Sequence, residues 1–141
     1  MNFEDFNSVV LEHRNSIILI ACLIVGVGLL AMFFLAAYVG GYFKIGKIRF
    51  PSALLLLIPI LFAIICSSIE VINCNKDIMH SAYEVYVGNC IYESETVTLE
   101  ELDLKIHVGL HHTIVPYGDN YGKCIYSKYS KVIVYWESIE E

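Results

Sequence analysis

Three groups of side chains in this sequence have the chemistry to act. The first is "HVGLHH", which places His107, His111 and His112 within six residues. Imidazoles that close together can hold zinc or copper. The stretch reads as strand, glycine turn and strand, with His107 on the polar face. The three histidines are therefore expected at a turn, and a metal site built on them is the alternative.

The second group is cysteine. Cys22 and Cys66 lie in apolar runs and behave as small apolar residues. Cys74, Cys90 and Cys124 lie further on. Cys90 and Cys124 both fall in strand patterns, so in an oxidising compartment a Cys90–Cys124 disulfide is expected, leaving Cys74 over. Three reduced thiols is the alternative and suits a cytoplasmic domain. There is no C-x-x-C pair, so neither a zinc ribbon nor a thioredoxin-like site is supported.

The third group is "YGKCIYSKYSKVIVYW", residues 121–136, where Tyr-Ser-Lys occurs twice in tandem. Aromatic rings among Lys123, Lys128 and Lys131 could stack bases and hold phosphates. The surroundings argue otherwise. Residues 76–141 hold five lysines and eleven acids, the chain's entire net charge of −6. Nucleic-acid binders carry a basic footprint, so no nucleic-acid partner is expected. The segment reads instead as a hairpin: "KCIYS" out, a turn near Lys128-Tyr129, "KVIVYW" back. Tyr126, Lys128, Tyr129 and Lys131 then form a candidate interaction surface, since tyrosine offers large contact area with a polar handle. Tyrosine at a membrane interface is the rival explanation. Glu100, Glu101 and Asp103 cluster too, but carboxylates at a turn are ordinarily solvated. No H-E-x-x-H, G-x-S-x-G, P-loop or G-x-G-x-x-G is present. No catalytic residue and no cofactor is expected.

The elements that must carry these groups differ sharply along the chain. It has 141 residues, 57% hydrophobic and only 17% charged. Residues 17–43 and 52–69 contain no charge. A bilayer core needs roughly 20 apolar residues as helix. The expected plan is a short tail over 1–15, then a two-helix transmembrane hairpin over 16–72 (helices at 17–43 and 52–72), then a small β-domain over 73–141. The acidic flank before the first run does not fit a cleaved signal peptide. Pro51 suits the start of the second helix, and Pro59 within it should produce a kink. Cys22 and Gly26, Ala36 and Gly40, and Ala37 and Gly41 are four apart, a spacing that lets helices approach closely and makes a homo-oligomer an option.

Lys44, Lys47 and Arg49 in the linker 44–51 favour a cytoplasmic linker, with the amino terminus and the β-domain outside. A bacterial inner membrane is the expected setting. After residue 73 the pattern has period two, as in "SAYEVYV" and "TVTLEELDLKIHV", the latter giving a strand at 96–99, a turn at Glu100-Glu101 and a strand at 102–108. "HTIV" after Gly109 is a further strand. Five or six short strands point to an SH3-like or OB-like barrel. The expected function is a non-catalytic membrane protein whose β-domain meets a protein partner, in an accessory, assembly or toxin-immunity role. The alternatives are a membrane-active oligomer, such as a pore or small transporter component, and a metal-binding domain on a membrane anchor. For a pore, Glu70 at the membrane edge is the only ionisable candidate.

Overall fold

The computed structural model describes residues 3–39, 41–45, 48–93, 96–108 and 115–139. Helix α1 (Phe3–Phe34) runs into a π-helical turn, Leu35–Val39. A small antiparallel hairpin follows, β1 (Tyr42–Ile45) and β2 (Ile48–Pro51), with Lys44 opposite Arg49. The expected plain linker is thus mostly strand. A 3-10 turn, Ser52–Leu56, leads into α2 (Leu57–His80). Pro59 is the third residue of α2, directly after the change from 3-10 to α geometry.

Contacts divide the chain into two units, Ser16–Ile69 and a second made of Met1–Asn15 with Glu70–Glu141. In the first unit both helices are long and apolar enough to cross a membrane. Within the most apolar window of the first helix no residue is buried. A helix apolar on every side has no preferred face to hide in water. The Ser68 hydroxyl is satisfied by the Ile64 carbonyl at 2.7 Å, inside its own helix. The close approach falls at Gly28, where a Cβ would lie 2.6 Å from Ile60 Cδ1. Gly26, singled out by its spacing from Cys22, has nothing within 4 Å.

The second unit is built on an antiparallel sheet of five strands. These are β3 (Tyr83–Glu93), β4 (Thr96–Leu99), β5 (Leu104–His107), β6 (Gly118–Ser127) and β7 (Ile133–Ser138), in the order β5-β4-β3-β6-β7. The β4–β5 connection is a 3-10 turn, Glu100–Leu102, closed by Asp103 in the left-handed region at φ 47°. The sheet is open, which corrects the expected barrel. Closure would require β5 to pair with β7, but β5 has only four residues, against ten paired positions between β3 and β6.

Alternation decides the core. Tyr86, Cys90, Val97, Leu99, Ile106, Cys124, Tyr126 and Ile133 share the buried face. Two glycines, Gly88 and Gly122, sit opposite each other on that face. A Cβ on Gly88 would lie 2.5 Å from the Tyr86 hydroxyl, and one on Gly122 would lie 2.5 Å from the Glu137 carbonyl and 2.6 Å from the Trp136 ring. Aromatic rings lie over both glycines, a device that restores side-chain cover where the backbone must approach closely. On β7 the register shifts between Ile125 and Tyr126, whose partners are Tyr135 and Ile133, leaving Val134 as a bulge.

The expected tail is helical from Phe3 onward. Phe6 and Val10, four residues apart and so on one helical face, are fully buried in this unit. Phe6 meets Tyr83 with ring centroids 6.0 Å apart.

Candidate functional site

The ends of both helices that belong to the β unit carry its densest polar chemistry. Helix α2 stops in a Schellman-type cap: Ala82 N–H donates to the Asp77 carbonyl (3.0 Å) and Ser81 N–H to the Ile78 carbonyl (3.4 Å). Ser81 takes the left-handed position at φ 45°, which glycine usually holds. This cap leaves the Asp77 carboxylate fully buried in the last turn. A negative charge at a helix C-terminus opposes the macrodipole, so it needs donors from elsewhere.

The β6–β7 turn supplies them. Tyr129 N–H donates to Oδ1 at 2.9 Å, Ser130 N–H to Oδ2 at 2.7 Å and Ser130 Oγ–H to Oδ2 at 2.6 Å. Ser127 Oγ lies 2.7 Å from Ser130 Oγ and accepts from Val132 N–H at 2.8 Å. Lys128 N–H donates to the Ala82 carbonyl at 3.0 Å. The tandem Tyr-Ser-Lys segment is therefore a turn moulded around one aspartate.

One and two turns earlier on α2, Cys74 and Glu70 stand four residues apart on one face, and His13 of α1 meets them. One ligand atom of each of the three lies within 4.8 Å of the other two. His13 Nε2 is 3.9 Å from Glu70 Oε1, with both side chains partly exposed. Cys74 is fully buried, with a side-chain hydrogen bond to Ser130. The next residue along α1, Arg14, donates to Asn75 Oδ1 at 2.8 Å. Sequence reasoning missed this cluster. Its one legible signal was the i, i+4 spacing of Glu70 and Cys74 on a helix.

The residues expected to form a surface divide between interior and exterior. Tyr126 is only 3% exposed and belongs to the core, which corrects its assignment. Burial pushes its phenol well above the ordinary range, and the hydrogen bond to Glu84 adds to this. The same hydrogen bond from Tyr126, with Lys131 beside it, holds the Glu84 carboxyl below its ordinary value. Lys131 Nζ lies 3.4 Å from Glu84 Oε2 and 5.0 Å from the Tyr126 ring centroid. Lys128 and Tyr129 are exposed at the turn, and the ammonium groups of Lys76 and Lys128 lie 5.7 and 6.0 Å from the Tyr129 ring centroid.

Cys90 and Cys124 are free thiols in the core. Cys90 is registered opposite Asn120 and Cys124 opposite Tyr86. They are four residues apart along the ladder, beyond the Cα separation of about 4.4–6.8 Å that a disulfide requires. That corrects the expected bridge. Burial pushes Cys90 up to about 11 and Cys124 up to about 12. Of the three histidines, His107 ends β5 opposite Thr96, while His111 and His112, like the strand expected at "HTIV", lie outside the described residues.

The outer face of the sheet is different in kind. Val85 (52%), Val87 (48%), Tyr121 (39%) and Tyr135 (38%) stand exposed on it. Val85, Ile125 and Tyr135 form one row across three strands, and Val87, Lys123 and Glu137 form the next. Comparison with protein-family models, with curated proteins and with solved structures returns no match for the chain.

Proposed function

We propose that this chain is an integral membrane protein. In this reading its apolar helices anchor the sheet unit, which docks a protein partner and performs no catalysis itself. The observation that carries the reading is the outer sheet face, where exposed Val85 and Tyr135 flank a buried Ile125 and exposed Val87 stands beside Lys123 and Glu137 in the next row. An apolar centre with a charged rim is the usual composition of a protein interface.

Several observations support a membrane setting. Leu19, Leu23, Val27, Leu30, Ile58 and Phe62 are all exposed in the helical unit, and burial in lipid is what such side chains require. An apolar notch of about 380 Å³, lined by residues such as Leu23, Val27 and Pro59, suits an acyl chain. The basic residues Lys44, Lys47 and Arg49 between the helices favour the cytoplasmic side for that segment. The sheet unit would then face outward, from a bacterial inner membrane. Free cysteines are compatible with an oxidising compartment there, because burial keeps the Cys90 and Cys124 thiols protonated and unreactive. Its role in this reading is an accessory, assembly or toxin-immunity one.

The test is affinity capture of the full chain from membranes in mild detergent. A stoichiometric partner should be retained by the wild type and lost from the Val85→Lys, Tyr135→Lys double variant. Loss in a Lys128→Ala, Tyr129→Ala variant instead would move the surface to the turn. Recovery of no specific partner would count against docking altogether. Orientation follows from labelling intact cells with Cys introduced at exposed Lys128, since the native Cys74, Cys90 and Cys124 are buried.

A further inference from the structure

The geometry points to a divalent transition-metal site, of the zinc class, formed by His13, Glu70 and Cys74. It goes beyond partner docking and does not depend on it.

The donor set comes first. An imidazole nitrogen, a carboxylate oxygen and a thiolate sulfur are all zinc ligands, and three protein ligands with a water in the fourth position form a common tetrahedral arrangement. Glu70 and Cys74 project from one helical face because they are four residues apart, and His13 comes from the other helix. With bonds of about 2.0–2.3 Å, ligand atoms around a tetrahedral ion stand roughly 3.3–3.6 Å apart. The three atoms already lie within 4.8 Å of one another. Closing the remaining distance needs small rotations of His13 and Glu70, the two partly exposed members, about a fixed, buried Cys74.

Charge favours the same reading. His13 Nε2 and Glu70 Oε1 already form an ion-pair contact at 3.9 Å, and a metal ion between them would be bound by both. Zn²⁺ with one thiolate, one carboxylate and one neutral imidazole is uncharged overall. That is the form a half-buried site tolerates best. On binding, the Cys74 thiol proton passes to solvent, its sulfur lone pair forms the bond to the metal, and nothing is oxidised or reduced. Outer contacts are already in place. Ser130, whose hydroxyl donates to Asp77, lies beside Cys74, so the β6–β7 turn packs against the sulfur. Metal would staple α1 to α2 and tie both to the sheet.

The experiment uses the full chain purified in detergent, stripped with chelator and dialysed against Zn²⁺ or Co²⁺. One zinc per chain is expected, with a near-ultraviolet thiolate-to-cobalt band in the Co²⁺ form. Cys74→Ser should abolish that band and weaken zinc binding at least tenfold. His13→Gln and Glu70→Gln should each weaken it at least tenfold while keeping the far-ultraviolet spectrum of the wild type. A His107→Ala, His111→Ala, His112→Ala variant should bind as the wild type does. Absence of stoichiometric binding would overturn the site. So would a cobalt spectrum without the thiolate band, or binding lost only in the triple histidine variant.

Discussion

The two units of this chain solve the problem of apolar surface in opposite ways. In the β unit, Val97, Leu99, Ile106 and Val132 are fully buried, and the aromatic rings of Tyr86 and Trp136 lie over the two core glycines. In the helical unit the large side chains point outward, and the helices meet closely where Gly28 admits Ile60. One unit carries its own apolar solvent and the other needs it supplied. The lesson concerns polar groups too. Where the surroundings are protein, a buried charge such as Asp77 is tolerable because a turn wraps it in donors. In the helical unit, residues 17–43 and 52–69 carry no charge at all.

Changes in the β unit should therefore alter its melting and leave the helicity of the apolar unit in detergent untouched. Parallel loss of both would break the contrast. The largest effect is expected from Asp77→Ala, which takes the acceptor from the buried Ser130 N–H and the half-buried Tyr129 N–H. It should cost about 3 kcal/mol or more of β-unit stability, read by thermal or urea melting of the near-ultraviolet signal. Asp77→Asn, which keeps one acceptor, should cost less.

Gly122→Val comes next. Its side chain would meet the Glu137 carbonyl and the Trp136 ring, and overpacking of this kind costs about 1–3 kcal/mol. Tryptophan fluorescence in the folded state should shift, because Trp136 must move.

The third test is alkaline titration. Cys90 and Cys124 have folded values raised to about 11 and about 12 from the ordinary 9.0. A raised value means the folded state holds the proton more tightly. The thiol contribution is therefore intact below pH 9 and lost as pH rises toward 11–12, at about 1.4 kcal/mol per pH unit for each thiol. Cys124→Ala should flatten this limb of the stability curve. A limb unchanged in the variant would show that the thiol is not the group titrating.

The smallest change has the opposite sign. Ser81→Gly relieves a left-handed backbone at the end of α2 and should stabilise the unit by about 0.5–1 kcal/mol.

Much of the local structure was legible in the residues. The alternation of "TVTLEELDLKIHV" placed a strand at β4 and a second near β5, because period two is a local property of the backbone, but the 3-10 turn takes Leu102 and β5 starts at Leu104. The turn at Lys128-Tyr129 was legible for the same reason. Closure of the sheet was not, since it depends on whether β5 and β7, far apart in sequence, can reach each other. The cluster of His13, Glu70 and Cys74 was not legible. Nothing in a linear pattern brings His13 beside Glu70, while three histidines in six residues are conspicuous.

By itself the sequence determined the composition of each part: two uncharged runs suited to helix in lipid, an acidic segment of alternating strands, and a lysine-bearing hairpin. Those follow from side-chain transfer energies and backbone periodicity, which act over a few residues. Tertiary structure alone decided which face of each strand is inside, that Cys90 and Cys124 stand apart, and that Asp77 reaches Ser130 across 53 residues. Such pairings are set by register and by the need to satisfy every buried donor, and both are properties of the assembled chain.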